Sequence, residues 1–263
     1  MDFVAARPNR IPPGWLAKYL EKSGPKTLYN GTNVQVTAVC DFMQGRLRSR
    51  KQLWLAFDEW NIWYRERNGD GKGQPAPHVI EEIYNLEDAL LVGGVLNSLL
   101  RHAKRVRIAC LAQLVNVIAP LLTNAEKIVR QTIFYPYSFA LQHARGQVLD
   151  LLVESPTYDS GKLGPVPYLD VAATLDLKTG VVCFLILNRD LDRERELTMI
   201  WREAPPSRVL VFEALTGADL KATNTFAEPR RVVPRSLEAP KVGDRMTFRV
   251  PARAYAVLKF GSG

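Results

Sequence analysis

From Val34 onward, apolar residues recur at Val36, Val39, Cys40 and Met43. That i, i+3, i+4, i+7 spacing predicts a helix ending at the basic run RLRSRK, Arg46 to Lys51. Next, QLWLAFDEW is a compact apolar run of strand length that finishes in acids. After a glycine-rich loop, NGDGKGQPAP, the segment IYNLEDALLVGGVLNSLLRHA sets Ile83, Leu86, Leu90, Val95 and Leu99 on a broad stripe, predicting a long, mostly buried helix. VRIACLAQLV, Val106 to Val115, then reads as a fully buried strand. Helix, strand, helix, strand is the order in which parallel strands are joined by helices. A further helical stretch runs from about Thr132 to Arg145, interrupted by Pro136.

Near residue 146 the texture changes. GQVLDLLVES, YLDVAATLDL, GVVCFLILN, ELTMIW, RVLVFEAL, RMTFRV and AYAVLKF are short strand candidates separated by turn residues, the pattern of an antiparallel sandwich. Residues 1–33 carry four prolines and three glycines with little periodicity and read as a weakly structured leader, with a short helix around Trp15 to Lys22. The expected fold class is therefore α/β plus all-β, in three parts: 1–33, 34–145 and 146–263.

Composition narrows the class. The 263 residues are 47% hydrophobic and 24% charged, an ordinary globular balance. Cys40, Cys110 and Cys183 are too widely spaced for a disulfide framework or a zinc set, which suggests a reducing compartment. No apolar run reaches membrane-spanning length and the N-terminus lacks a signal-peptide core, so a cytoplasmic protein with no membrane partner is expected. The net charge of +8 invites a nucleic-acid partner, yet RLRSRK also fits a solvated helix end favoured by the helix dipole. No recognition motif accompanies it, and no nucleic acid is expected.

Two positions stand out chemically. Glu59, within FDEWNIWY, falls at the carboxyl end of a strand in an α/β region, where such folds carry their sites. From spacing alone, a strand-end acid that pairs with a lysine or a backbone amide is the readier account of it. Gln113, in LAQLVN near the end of the following strand, needs partners if buried, either a sugar hydroxyl or a backbone carbonyl. Glu87 and Asp88 read as charges on the solvent side of a helix, and His78, His102 and His143 are isolated, so no metal set or serine triad emerges.

FDEWNIWY, IYNLEDALLVGGVLNSLLRHA, IACLAQLVNVIAPLLT, RQTIFYPYSFA and DLKATNTFAEPRRVVPRS, in this order, resemble the C-terminal half of family-51 glycoside hydrolases, the α-L-arabinofuranosidases. The resemblance runs from about Val34 to Phe260. It implies a retaining hydrolase of terminal α-L-arabinofuranosides in arabinan or arabinoxylan oligosaccharides, working without cofactor or metal. It further implies the last two strands and helices of a (β/α)8 barrel followed by a β-sandwich. By the same resemblance Glu59 is the nucleophile, Trp63 helps shape the substrate site, and Gln113 contacts the arabinose. A retaining glycosidase also needs an acid/base carboxyl roughly 5 to 5.5 Å from the nucleophile. In the family this is a glutamate directly after an asparagine, and the chain contains no Asn-Glu dipeptide. The expectation is thus a truncated, nucleophile-bearing half whose acid/base is absent, with an N-terminal half or a homo-oligomer as possible partner. The alternative is a non-catalytic carbohydrate-binding or assembly module derived from the family.

Overall fold

The computed structural model describes residues 3–5, 28–64, 80–161, 164–202 and 204–261. The elements of the first part are β1 (Phe3–Ala5), α1 (Leu28–Arg46), β2 (Trp54–Trp60), α2 (Leu86–Arg101), β3 (Val106–Leu111), a hairpin of β4 (Leu121–Thr123) and β5 (Ile128–Arg130), and α3 (Phe134–His143). β1, β2 and β3 form a parallel sheet in that order. The expected pair of parallel strands is thus corrected to three, because Phe3 to Ala5 lies beside Trp54 to Ala56. Three residues are too few to show a period, so this strand escapes pattern reading. The leader accordingly holds a strand, and α1 begins at Leu28 instead of Val34. The short helix expected at 15–22 and the glycine-rich loop at 68–77 lie outside the described residues, as does His78.

Two further expectations change. β3 is not fully buried: Arg107, Ile108 and Cys110 are exposed, because β3 ends the described sheet and pairs only with β2 among the described residues. On α1, Cys40 is buried and Val36 half-buried, whereas Val39 and Phe42, with Leu47 just past the helix end, are more than 60% exposed. By contrast, Pro136 does not interrupt α3. It is the third residue of the helix, where a missing N–H takes no bond away from the helix.

The second part comprises β6 (Gln147–Val148), β7 (Thr157–Asp159), β8 (Pro165–Pro167), β9 (Leu169–Asp176), β10 (Val181–Asn188), β11 (Arg195–Ile200), β12 (Arg208–Thr216), β13 (Arg235–Ser236), β14 (Arg245–Val250) and β15 (Ala254–Gly261). All seven candidate segments contain a strand. Six strands form one antiparallel sheet in the order β13-β12-β15-β10-β9-β6, and β11 and β14 form a separate ribbon. β10 shows why VVCFLILN is apolar without alternation. Val182, Phe184 and Ile186 pack with Met246, Phe248 and Val250 of the ribbon. Cys183, Leu185 and Leu187 turn the other way and share a core with Leu90, Val95 and Leu99 of α2 and with Phe57 of β2. The centre of the sheet, at β10 and β15, is buried on both faces.

α2 is therefore enclosed between the parallel and antiparallel sheets, and residues 86–99 are buried all round it. Gly93 sits where an added Cβ would meet the Tyr255 ring at 2.4 Å. Tyr255 donates its hydroxyl to Asn97 Oδ1 at 3.0 Å, and Asn97 Nδ2 donates to the Asp170 carbonyl at 3.2 Å. Asp170 in turn pairs with Arg101 of α2 and with Arg189. No helix among the described residues is long and apolar enough to cross a membrane.

Candidate functional site

Parallel strands expose their C-terminal ends on one side, and there β2 and β3 bring two of the singled-out residues onto neighbouring strands. Phe57 pairs with Ala109 and Trp60 with Leu111, with a register irregularity between them at Asp58 and Glu59. Beyond the ladder, Ala112 N–H donates to the Trp60 carbonyl at 3.0 Å. Glu59 and Gln113 thus stand one residue to either side of hydrogen-bonded neighbours, and both are exposed. The floor below is apolar: Leu55 and Phe57 are fully buried.

The segment following Glu59 is anchored at three points. Trp60 is buried and packs its ring 6.2 Å from that of Tyr137. Asn61 Nδ2 donates to the carbonyls of Ala112 at 2.6 Å and Ile118 at 2.5 Å, while its Oδ1 accepts from Ile62 N–H at 2.7 Å. Tyr84, fully buried, donates its hydroxyl to the Ile62 carbonyl at 2.7 Å. Trp63, half-buried, lies between this anchor and Tyr64, whose hydroxyl donates to Asp88. Gln131 then ties three stretches together: its amide donates to the carbonyls of Glu82 and Ala119 and accepts from Tyr84 N–H.

Glu87 and Asp88 are not the solvent-side charges expected from the pattern. Both are buried, because the face of α2 they occupy is covered. Asp88 closes a capping box with Asn85, accepting Asn85 N–H at 2.8 Å while its own N–H donates to Asn85 Oδ1 at 3.1 Å. Glu87 pairs with Lys221, which reaches in from the antiparallel part. Burial pushes the Asp88 carboxyl up to about 7, against the pull of the Tyr64 hydroxyl and the Asn85 amide. The Tyr64 hydroxyl is raised well above its ordinary value by burial and by the Asp88 charge.

The sequence reading passed over Asn61, Tyr84 and Gln131. Only Asn61 carried a local signal, as a short amide immediately past a strand end, where such side chains bond nearby backbone. The partners of Tyr84 and Gln131 lie many positions away along the chain. Near the opposite end of β3, an apolar groove of about 240 Å³ is lined by Leu96, Leu99 and Leu100 of α2, Ile108 of β3, and Tyr137 and Leu141 of α3, among others. It includes none of Glu59, Trp63 and Gln113. Among the described residues no three His, Cys, Asp or Glu side chains are grouped to hold a metal.

A family model described as the α-L-arabinofuranosidase C-terminal domain matches residues 58–254. An intracellular exo-α-(1→5)-L-arabinofuranosidase of Streptomyces lividans is 41% identical over 214 residues, which cover 80% of this chain and 32% of that protein. A Bacillus subtilis protein of the same description is 40% identical over 214 residues, covering 80% and 42%. Among solved structures, a family-51 α-L-arabinofuranosidase from Bifidobacterium longum superposes with a TM-score of 0.88 at 30% identity, over 99% of this chain and 53% of that one. An α-L-arabinofuranosidase from Thermotoga maritima, solved with arabinose, shares the fold with a TM-score of 0.78 at 20% identity. The chain spans less than half the length of the curated relatives it matches.

Proposed function

The chain belongs to the α-L-arabinofuranosidase C-terminal domain family, and from that premise we propose that it is the nucleophile-bearing half of a retaining α-L-arabinofuranosidase. The observation that carries the reading is the register of β2 and β3, which puts Glu59 and Gln113 at the exposed carboxyl ends of adjacent parallel strands. In this reading residues 34–145 are the closing part of a (β/α)8 barrel, with β1 as an added strand, and residues 146–263 are a β-sandwich. The site takes a terminal arabinofuranosyl group of an arabinan or arabinoxylan oligosaccharide, in the cytoplasm and without cofactor.

The ionised Glu59 carboxylate attacks the anomeric carbon, the glycosidic oxygen leaves with the bonding pair, and an arabinosyl ester forms on Glu59. Water then cleaves the ester with retention. Trp63 walls the sugar from solvent, and Gln113 donates and accepts hydrogen bonds to its hydroxyls. The proton for the leaving oxygen comes from a carboxyl outside this chain, brought by a complementary N-terminal half. The exposed Val39 and Phe42 of α1, Leu47 just past it and Ile108 of β3 support such a partner, since apolar surface of this kind marks contact sites.

Loss of general-acid assistance costs roughly 10² to 10⁴ in rate, so the chain alone is expected to release little from an ordinary aryl α-L-arabinofuranoside. A substrate with a leaving group acidic enough to depart unprotonated bypasses that loss. With it, intact-mass analysis should find the chain heavier by one arabinosyl unit, on the peptide bearing Glu59, and Glu59→Gln should abolish the adduct. A wild-type chain that neither forms the adduct nor binds arabino-oligosaccharides would sink the proposal. The absence of an Asn-Glu dipeptide favours a second reading, a carbohydrate-binding or assembly module. Oligosaccharide binding that survives Glu59→Gln and Gln113→Ala, but not changes in the antiparallel part, would favour that module.

A further inference from the structure

Asn61 is a side-chain link between the two strand ends, beside the backbone bond from Ala112 N–H to the Trp60 carbonyl. Its amide nitrogen has two hydrogens, and both are used, on the carbonyls of Ala112 and Ile118. Its oxygen accepts the N–H of Ile62. Those carbonyls bracket the loop that begins with Gln113, and the loop is closed on itself by Gln113 N–H donating to the Ile118 carbonyl at 3.0 Å. With both of its hydrogens spent on backbone, Asn61 has no donor left for a sugar hydroxyl.

We propose that Asn61 is a positioning residue that holds the Gln113 loop in register with the Glu59 strand end. The inference rests on the functional reading above only in what Gln113 then binds. The geometry selects this residue type. An aspartate is the same shape, but its carboxylate has no hydrogen to donate and would set negative charge against two carbonyl oxygens. Alanine removes all three bonds and leaves the two carbonyls without this donor. Glutamine adds a methylene that moves the amide from its three partners. The effect on ligand is indirect and passes through Gln113.

The test uses Asn61→Asp and Asn61→Ala, with amide and indole NMR signals of Gln113, Ile118 and Trp63 read alongside arabino-oligosaccharide titration. At neutral pH both variants should shift the Gln113 and Ile118 signals while those of α2 and the antiparallel sheet stay in place. Affinity should fall by roughly 10- to 100-fold, as for a misplaced contact. Combining Asn61→Ala with Gln113→Ala should cost no more than Gln113→Ala alone, since one residue acts through the other. Acidification separates positioning from a merely structural loss. Once protonated, the carboxyl introduced by Asn61→Asp regains one hydrogen to donate. The signals of that variant should therefore return toward wild-type positions as pH falls, whereas those of Asn61→Ala should not.

Two failures are distinguishable. If the wild-type chain binds no arabino-oligosaccharide, yet the signals move and recover as described, the positioning role stands and the sugar reading falls. If Gln113 and Ile118 keep their wild-type signals in both variants, or the losses with Gln113→Ala simply add, the positioning role is overturned whatever the sugar does.

Discussion

Asp88 shows how one buried group can govern a pH response. Its carboxyl is held near 7 by burial, whereas in the unfolded chain it titrates near the ordinary value of about 3.9. Between those values the folded protein binds more protons than the unfolded one. Stability through this group is therefore greatest below pH 4, declines as pH rises toward 7, and is level above it. Asp88→Asn keeps the shape and one acceptor oxygen, which can take Asn85 N–H while its amide nitrogen donates to the Tyr64 hydroxyl. Urea unfolding from pH 4.5 to 8 should show the wild-type midpoint falling relative to the Asp88→Asn midpoint. Parallel curves would mean that burial does not control the charge. Asp88 was legible in the sequence as a structural acid, but its burial was not, because the layer that covers it lies far along the chain.

At the scale of elements, α2 has a capped start and a crowded middle. The capping box shares the helix entry with the Leu220 and Ala222 carbonyls, which take the N–H groups of Glu87 and Leu86, and Asn85→Ala should lower stability by about 1 kcal/mol in denaturant titration. Gly93 is a packing requirement of a different kind. Alanine there would gain helix propensity of about 1 kcal/mol, but its Cβ would collide with a fully buried ring. Gly93→Ala is expected to destabilise by about 1 to 3 kcal/mol, as overpacking does, and the paired change Tyr255→Leu should relieve part of that loss. An unaltered melting temperature in Gly93→Ala would show that the ring can move aside. The glycines of ALLVGGVLN were visible in the sequence. Their reason was not, since Tyr255 lies more than 150 positions away.

In the whole molecule, one core runs from Phe57 through α2 to Leu187 and Tyr255. The polar links follow the same path, through Asn97, Asp170, Arg101 and Arg189. Asp170 is held below the usual carboxylate range by the two arginines, despite burial that acts the other way. Removing it by Asp170→Ala leaves Arg189 buried without this partner and should cost about 3 to 5 kcal/mol, by denaturant unfolding. Thermal unfolding should keep a single transition, with parallel and antiparallel parts melting together. The apolar surface of α1 has the opposite character, lying outside any core. A Phe42→Lys, Leu47→Lys variant should self-associate less by light scattering, with the melting temperature unchanged. Equal scattering from both proteins would show that this face does not drive association.

Local pattern alone determined the strand FDEWNIWY enters, the helix that follows, the strand of LAQLVN, and the seven segments of the antiparallel part. These are periods and runs that neighbouring residues write directly, and Glu59 and Gln113 at the strand ends came with them. Only the tertiary structure decided which faces are covered. VRIACL looked buried and lies open, because exposure depends on what stands opposite a strand and its own residues do not carry that information. YNLED looked half-solvated and is enclosed, because the stretch around residues 217–223, far along the chain, closes over it. The same distance hid the two bonds that Asn61 donates: a side chain two positions past Glu59 finds its carbonyl acceptors more than 50 residues on, and only folding brings them within reach.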